Sequence, residues 1–209
     1  MYLRISSSRP KFTAITDFAG GANPHTMLSS MQTTLLNMFD TKSVQPLRSV
    51  CKDFKRAIEN HPWSTPSLIN KDLIKWRSSF PNALSVNLSP LYNTLNDSYM
   101  VHLQGVRTID LSYCRHITGY SFHYLYAART LNISGCIQIT NSSLQDLVYI
   151  EDLDITCCRQ LDLSSMKNLW ALKHVKFCWC NADKILSIPE IRTVQKLTIV
   201  NCQTIFALA

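Results

Sequence analysis

From Val106 onward the chain repeats a pattern of apolar-x-apolar-x-x-Cys at a constant step of 22 residues. One apolar column is Ile109, Leu131, Leu153, Val175 and Leu197, and a second is Leu111, Ile133, Ile155, Phe177 and Ile199. Cys114, Cys136, Cys158, Cys180 and Cys202 form a third. Alternation of this kind predicts a short strand with one face buried. The second half of each copy keeps the same step, with Ser121, Ser143, Ser165 and Ser187 in one column and Leu125, Leu147, Leu169 and Ile191 in another. Segments such as Ser142-Ser-Leu-Gln-Asp-Leu147 suit a short helix that returns the chain for the next strand. No copy can bury its apolar face alone, but stacked copies bury continuous columns. The pattern therefore predicts an α/β solenoid of parallel strands with short return helices. A less regular first copy, Val86-Asn-Leu88 followed by Leu91, Leu95 and Leu103, has Leu91 in place of Cys and lies 23 residues before the next. Six strands are expected, the last followed by an incomplete return that ends at Ala209, truncated or covered by a partner.

The first part of the chain follows a different period. Leu28, Met31, Leu35, Leu36 and Phe39 recur at steps of three and four, which predicts one apolar helix face. Asp40-Thr-Lys is a polar break, and Thr41 or Ser43 is placed to cap a second helix with Pro46 in its first turn. Leu47, Val50, Cys51, Phe54 and Ile58 give that helix its stripe, which His61-Pro62 ends. A further helix is expected over Ser67 to Phe80, stopped by Pro81. The domain plan is a disordered tail over 1–24, a compact helical domain over 25–65, a linker helix over 66–82 and the repeats over 83–209.

Composition narrows the functional classes. The hydrophobic fraction of 46% with 17% charged residues is globular. No apolar run approaches the ~18 residues of a membrane span, and residues 1–24 lack the apolar stretch of a secretory signal. A cytoplasmic or nuclear protein with reduced thiols is the expectation. The formal charge of +7 is concentrated in the first half, where Lys42, Arg48, Lys52, Lys55 and Arg56 cluster. Such a cluster suits an acidic partner or nucleic acid, and suits equally the solvated face of a helix. Exposed aromatics are not interleaved with it, so nucleic acid is the weaker reading.

The cysteine ladder is read first as packing, since a thiol is a small apolar group suited to a tight turn. A zinc site needs about four ligands converging on one point, whereas the ladder supplies one per layer. Disulfides lack the secretory context that favours them. The five glycines make no phosphate-binding loop, and the histidines show no HExxH-type spacing. No cofactor and no catalytic residue is expected.

Leu111-Ser-Tyr-Cys-Arg-His-Ile-Thr118 and Ile133-Ser-Gly-Cys-Ile-Gln-Ile-Thr140 resemble the cysteine-containing subfamily of leucine-rich repeats, with Ile155-Thr-Cys-Cys-Arg-Gln-Leu-Asp162 a looser copy. Repeats of this kind often follow an F-box. Val50-Cys-Lys-Asp-Phe-Lys-Arg56 resembles the F-box signature, and His61-Pro-Trp63 and Phe80-Pro-Asn82 resemble its end and the entry to the first repeat. The usual Leu-Pro-x-Glu start is replaced by Met27-Leu-Ser-Ser30. The resemblance implies a substrate receptor of a cullin–RING (SCF-type) ubiquitin ligase, non-catalytic itself. A Skp-type adaptor, and a cullin through it, would meet Leu28, Leu35, Leu36, Phe39, Val44, Leu47, Val50 and Phe54. The alternative is a repeat scaffold without an adaptor, in which those residues cap the solenoid.

A target protein would meet the strand residues that alternate with the core columns. Those are Asp110, Asn132, Asp154, Lys176 and Thr198 in one row, and Thr108, Thr130, Asp152, His174 and Lys196 in the other. An acidic middle (Asp152, Asp154) beside a basic and aromatic end (His174, Lys176, Trp179) makes a candidate contact patch with Asp110 and Asn132. An ordinary polar strand face is the competing reading.

Overall fold

The computed structural model describes residues 33–161, 166, 168–178 and 194–200. Seven parallel strands form one sheet in chain order. They are β1 (Ser67–Leu68), β2 (Ser85–Asn87), β3 (Thr108–Asp110), β4 (Thr130–Asn132), β5 (Asp152–Asp154), β6 (His174–Cys178) and β7 (Lys196–Val200). From β3 onward the register follows the sequence period: Ile109 pairs with Leu131, Leu131 with Leu153, Leu153 with Val175 and Val175 with Leu197. The longer first step also holds, with Val86 beside Ile109.

The coils between β2 and β5 are closed by 3-10 turns, as at Phe122–Leu125 and Asn141–Leu144. A coil this short leaves only about one tight turn for its return, and 3-10 geometry serves runs of three or four residues. The core columns are continuous. Ile109, Leu131, Leu153 and Val175 are buried, as are Leu111, Ile133, Ile155 and Phe177. Leu197, expected in the first column, is instead 41% exposed, since among the described strands β7 is the last of the sheet and pairs on one side only. Ile117, Ile139 and Leu161 are buried at one repeat position, and Phe122, Leu144 and Met166 at another. Full burial of each such side chain is worth about 1.5–3 kcal/mol, and the columns run without a break into the helical segment.

The sheet has one strand more than the sequence pattern implies. Residues 67–68 do not open a helix; they pair with Val86 and Asn87 of β2. The reason is a tertiary contact: Ser67 is buried and its Oγ accepts from Thr41 Oγ1 at 2.8 Å. The helix begins only after Asp72, whose carboxylate accepts from the Lys75 amide at 2.9 Å. It covers Leu73–Ser79 (α3).

The helical segment is also more broken than its apolar stripe implies. Residues 33–36 are helical, and Asp40 rather than Thr41 or Ser43 caps the next helix, α1 (Thr41–Val44), by accepting from the Ser43 amide at 2.6 Å. A 3-10 run follows over Gln45–Ser49 with Pro46 at its start. Cys51 is extended, at φ −158° and ψ 166°, and caps α2 (Lys52–Asn60). Leu47, Val50, Cys51, Phe54 and Ile58 therefore do not share one helix. Trp63 joins this segment to the sheet: its Nε1 donates to Ile58 O at 3.0 Å, and its own carbonyl accepts from the Leu84 amide at 2.8 Å.

Candidate functional site

Three rows of the coils carry polar chemistry. The first is the exit of each strand, where a side chain turns the chain out of the sheet. Asn87, Asp110, Asn132 and Asp154 each accept from the amide two residues on, that of Ser89, Ser112, Ser134 or Thr156, at 2.9–3.0 Å. These are Asx turns, which Asp and Asn form in preference to other residues. Asp110, Asn132 and Asp154 are thus already engaged in shaping the coil, and all three are half-buried.

The second row is the thiol ladder. Cys114 Sγ donates to Leu88 O, Cys136 to Leu111 O and Cys158 to Ile133 O, at 3.8, 3.2 and 3.0 Å. Each thiol thereby satisfies a carbonyl of the preceding coil. Burial pushes the Cys114 and Cys158 thiols up to about 12, and the Cys136 thiol upward for the same reason. Protonated, hydrogen-bonded thiols are poor nucleophiles and poor metal ligands. Cys180 and Cys202 lie outside the described residues.

The third row is the open face of the sheet from β4 to β7. Thr130, Asn132, Asp152, Asp154, His174, Lys176, Lys196 and Thr198 surround a groove of about 470 Å³. Of the anticipated target-binding residues, Asn132, Asp152, Asp154, His174 and Lys176 meet there. Asp110 stands on β3 beyond it, and Trp179 lies outside the described residues. The acidic strand and the basic strand pair with each other. His174 Nδ1 meets Asp152 Oδ1, Lys176 Nζ lies 3.3 Å from Asp154 Oδ2, and Thr130 Oγ1 donates to Asp152 Oδ2 at 3.3 Å. These pairs are partly exposed and worth about 0–1 kcal/mol each, so a partner's charges can replace them at little cost. Lys196 and Thr198 extend the groove beyond the residues singled out from the sequence, although both belong to the same alternating rows.

The anticipated adaptor-facing residues divide by depth. Leu36 and Val44 are 2% and 0% exposed and belong to the chain's own core. Phe39 and Leu47 are half-buried against it, and Phe54 is half-buried on α2. Leu35 and Val50 face outward at 42% and 65% exposure, joined by Met38 at 80%. Leu28 lies outside the described residues. Within the basic cluster, Arg48 pairs with Glu59 at 2.8 Å and Lys55 reaches the same carboxylate at 3.9 Å. Lys42, Lys52 and Arg56 remain on the solvated side.

A strand, an Asx exit turn, a buried thiol and a 3-10 return, repeated at 22 residues, define a leucine-rich repeat solenoid. No protein-family model and no curated protein sequence matches the chain. Solved structures similar in shape include yeast Rad7, crystallised in complex with Elc1, at 13% identity and a TM-score of 0.43. Two internalins of Listeria monocytogenes, inlF and inlC2, follow at 12% and 15% identity with TM-scores of 0.42 and 0.36. The chain is covered over 64%, 77% and 71% of its length and spans 38%, 56% and 84% of theirs. No described helix is long and apolar enough to cross a membrane.

Proposed function

We propose that the chain is the substrate-receptor subunit of a cullin–RING ubiquitin ligase, working in the cytoplasm or nucleus. Its helical segment docks a Skp-type adaptor, and through it a cullin, while the groove between β4 and β7 holds a target protein. The receptor carries out no chemistry itself. The observation that supports this reading is the trio Leu35, Met38 and Val50. They are large apolar side chains left outward on a segment where Leu36, Val44 and Ile58 are buried and Phe39 and Leu47 pack against the core. Leu35 stands on a helix and Met38 and Val50 on the turns beside helices, where uncovered apolar side chains suit docking into a partner's apolar groove.

A second reading, a leucine-rich repeat scaffold with no ligase, draws support from Leu36, Val44, Ile58 and Trp63, which seat the segment as a cap on the first coil. One experiment separates the two. Purified Skp-type adaptor is pulled down with the intact chain and with Leu35→Asp and Val50→Asp, both exposed and so tolerated by the fold. Capture by the intact chain, lost in both variants while their circular dichroism is unchanged, supports the receptor. No capture by the intact chain leaves the scaffold.

A further inference from the structure

The segments that leave the strands differ in charge from the rest of the molecule. Residues 88–96, 111–118, 133–140 and 155–161 contain no Asp or Glu, but they carry Arg115, His116 and Arg159. Acids flank these segments at Asp97, Asp110, Asp154 and Asp162; Asp110 and Asp154 accept from the Ser112 and Thr156 amides, and Asp97 is occupied as well. Its two oxygens accept from the Thr118 amide and hydroxyl and from the Gly119 amide at 2.8–2.9 Å. On the open face and at the strand entries, by contrast, acids and bases pair, as in Asp154–Lys176 and Glu151–Lys173. No ion pair of Arg115 or His116 occurs among the described residues, and both are exposed. The Arg115 amide donates to Tyr92 O at 3.3 Å, so Tyr92 and Arg115 stand side by side on adjacent coils.

Tyr113 occupies a costly position on the same rim. Its φ is +63°, in the left-handed region, and one coil later the equivalent residue is Gly135 at φ +73°. The same turn position is left-handed again at Cys157 (φ +62°), so the exit turn imposes this geometry, which in a bulky residue costs of order 1–3 kcal/mol. The Tyr113 ring lies beside Gly135 of the next coil, where an added Cβ would come within 2.7 Å of its Cδ1. Tyr113 nevertheless stays 54% exposed. Half-exposed tyrosines beside arginine are the residue types that anchor interfaces.

We propose that this exit-turn rim, separate from the groove of the open face, binds an extended acidic peptide segment of a partner protein. Its carboxylates meet Arg115 and His116, and its apolar or proline side chains lie on Tyr92 and Tyr113. The two basic groups, Arg115 and His116, match a few carboxylates but fall short of the run of phosphate contacts on which nucleic-acid affinity depends.

Fluorescence anisotropy of the full chain with a fluorescein-labelled peptide of alternating glutamate and proline at low salt tests the assignment. Saturable binding is expected, weakened about tenfold or more by Arg115→Glu. Tyr113→Gly should weaken it similarly while leaving the melting temperature unchanged or higher, since glycine relieves the strained φ. Lys176→Glu on the open face should change affinity by less than about twofold. The proposal is overturned by absence of saturable binding, or by full affinity in Arg115→Glu or Tyr113→Gly. It is equally overturned if an oligothymidine displaces the peptide and binds more tightly, which would make the rim a nucleic-acid surface.

Discussion

In the coils, each inward side chain packs against its counterpart one step of 22 residues away. The helical segment over residues 33–66 joins the core chiefly through four unlike buried residues, Leu36, Val44, Ile58 and Trp63, with Phe39 and Leu47 packed beside them. The coils distribute their stability over many equivalent contacts, whereas the helical segment concentrates it in a few. Cysteine usage shows the same contrast. Cys114, Cys136 and Cys158 are buried and bonded to carbonyls of the preceding coil. Cys51, at the N-terminus of α2, is exposed and accepts only a long bond of 3.5 Å from the Phe54 amide.

The largest difference should appear in thiol chemistry. Under native conditions Cys51 is expected to react with iodoacetamide at least about a thousandfold faster than the three ladder cysteines, which require opening of the coils. Peptide mapping of labelled protein checks this, and comparable rates at Cys136 and Cys51 would contradict the ladder.

Next in size is Trp63→Ala. Loss of a buried indole of this kind costs about 3–5 kcal/mol, and here it also leaves Ile58 O without its side-chain donor. Urea unfolding followed by hydrogen exchange should show α1 and α2 released before the coils. Uniform loss of protection would mean that the segment and the coils are one cooperative unit.

Gly135→Ala tests the coils themselves at one position. It places a Cβ against the Tyr113 ring and forces a φ of +73° on alanine, at an expected cost of about 1–3 kcal/mol. In a Tyr113→Ala background the steric part of that cost should vanish, so a double-mutant cycle should give a positive coupling. Strict additivity would show that backbone strain alone is responsible.

The smallest effect belongs to His61. It packs edge-on against Trp63 at 4.5 Å between ring centroids, and burial lowers its pKa from 6.5. In acid the unfolded chain binds a proton that the native state resists, so stability is present above 6.5 and falls as pH drops below it. Melting temperatures compared at roughly pH 7.5 and 5.5 should converge in His61→Phe relative to the unmodified chain. An unchanged difference would remove His61 from the acid sensitivity.

The coils were largely legible in the sequence because a solenoid repeats its constraints. Ile109, Leu131, Leu153 and Val175 report the same environment four times, and the period sets the strand register directly. The Asx turns were legible too, in the recurring Asp or Asn two residues before Ser or Thr, although the open-face reading assigned those same residues to a partner. The helical segment offered only one copy of each signal. Its stripe through Leu47, Val50 and Cys51 has helical spacing, yet Cys51 is extended and the stripe divides between a 3-10 run and α2.

Sequence alone settled the repeat length, the parallel architecture, and the inward columns and thiols of the coils from β3 to β5, since periodic burial leaves one way to stack the copies. It did not foresee the exposure of Leu197 on the last strand. Tertiary structure decided three further matters. Residues 67–68 became a strand because Ser67 found Thr41, from a different element, as its partner. Leu36 and Val44 became core while Leu35 and Val50 stayed outside, because that depends on which helix face meets the first coil. The acids of β5 paired with the bases of β6 because registry brings residues 22 apart into contact. In each case the outcome depends on a neighbour distant along the chain, a relation that spacing within one segment does not encode.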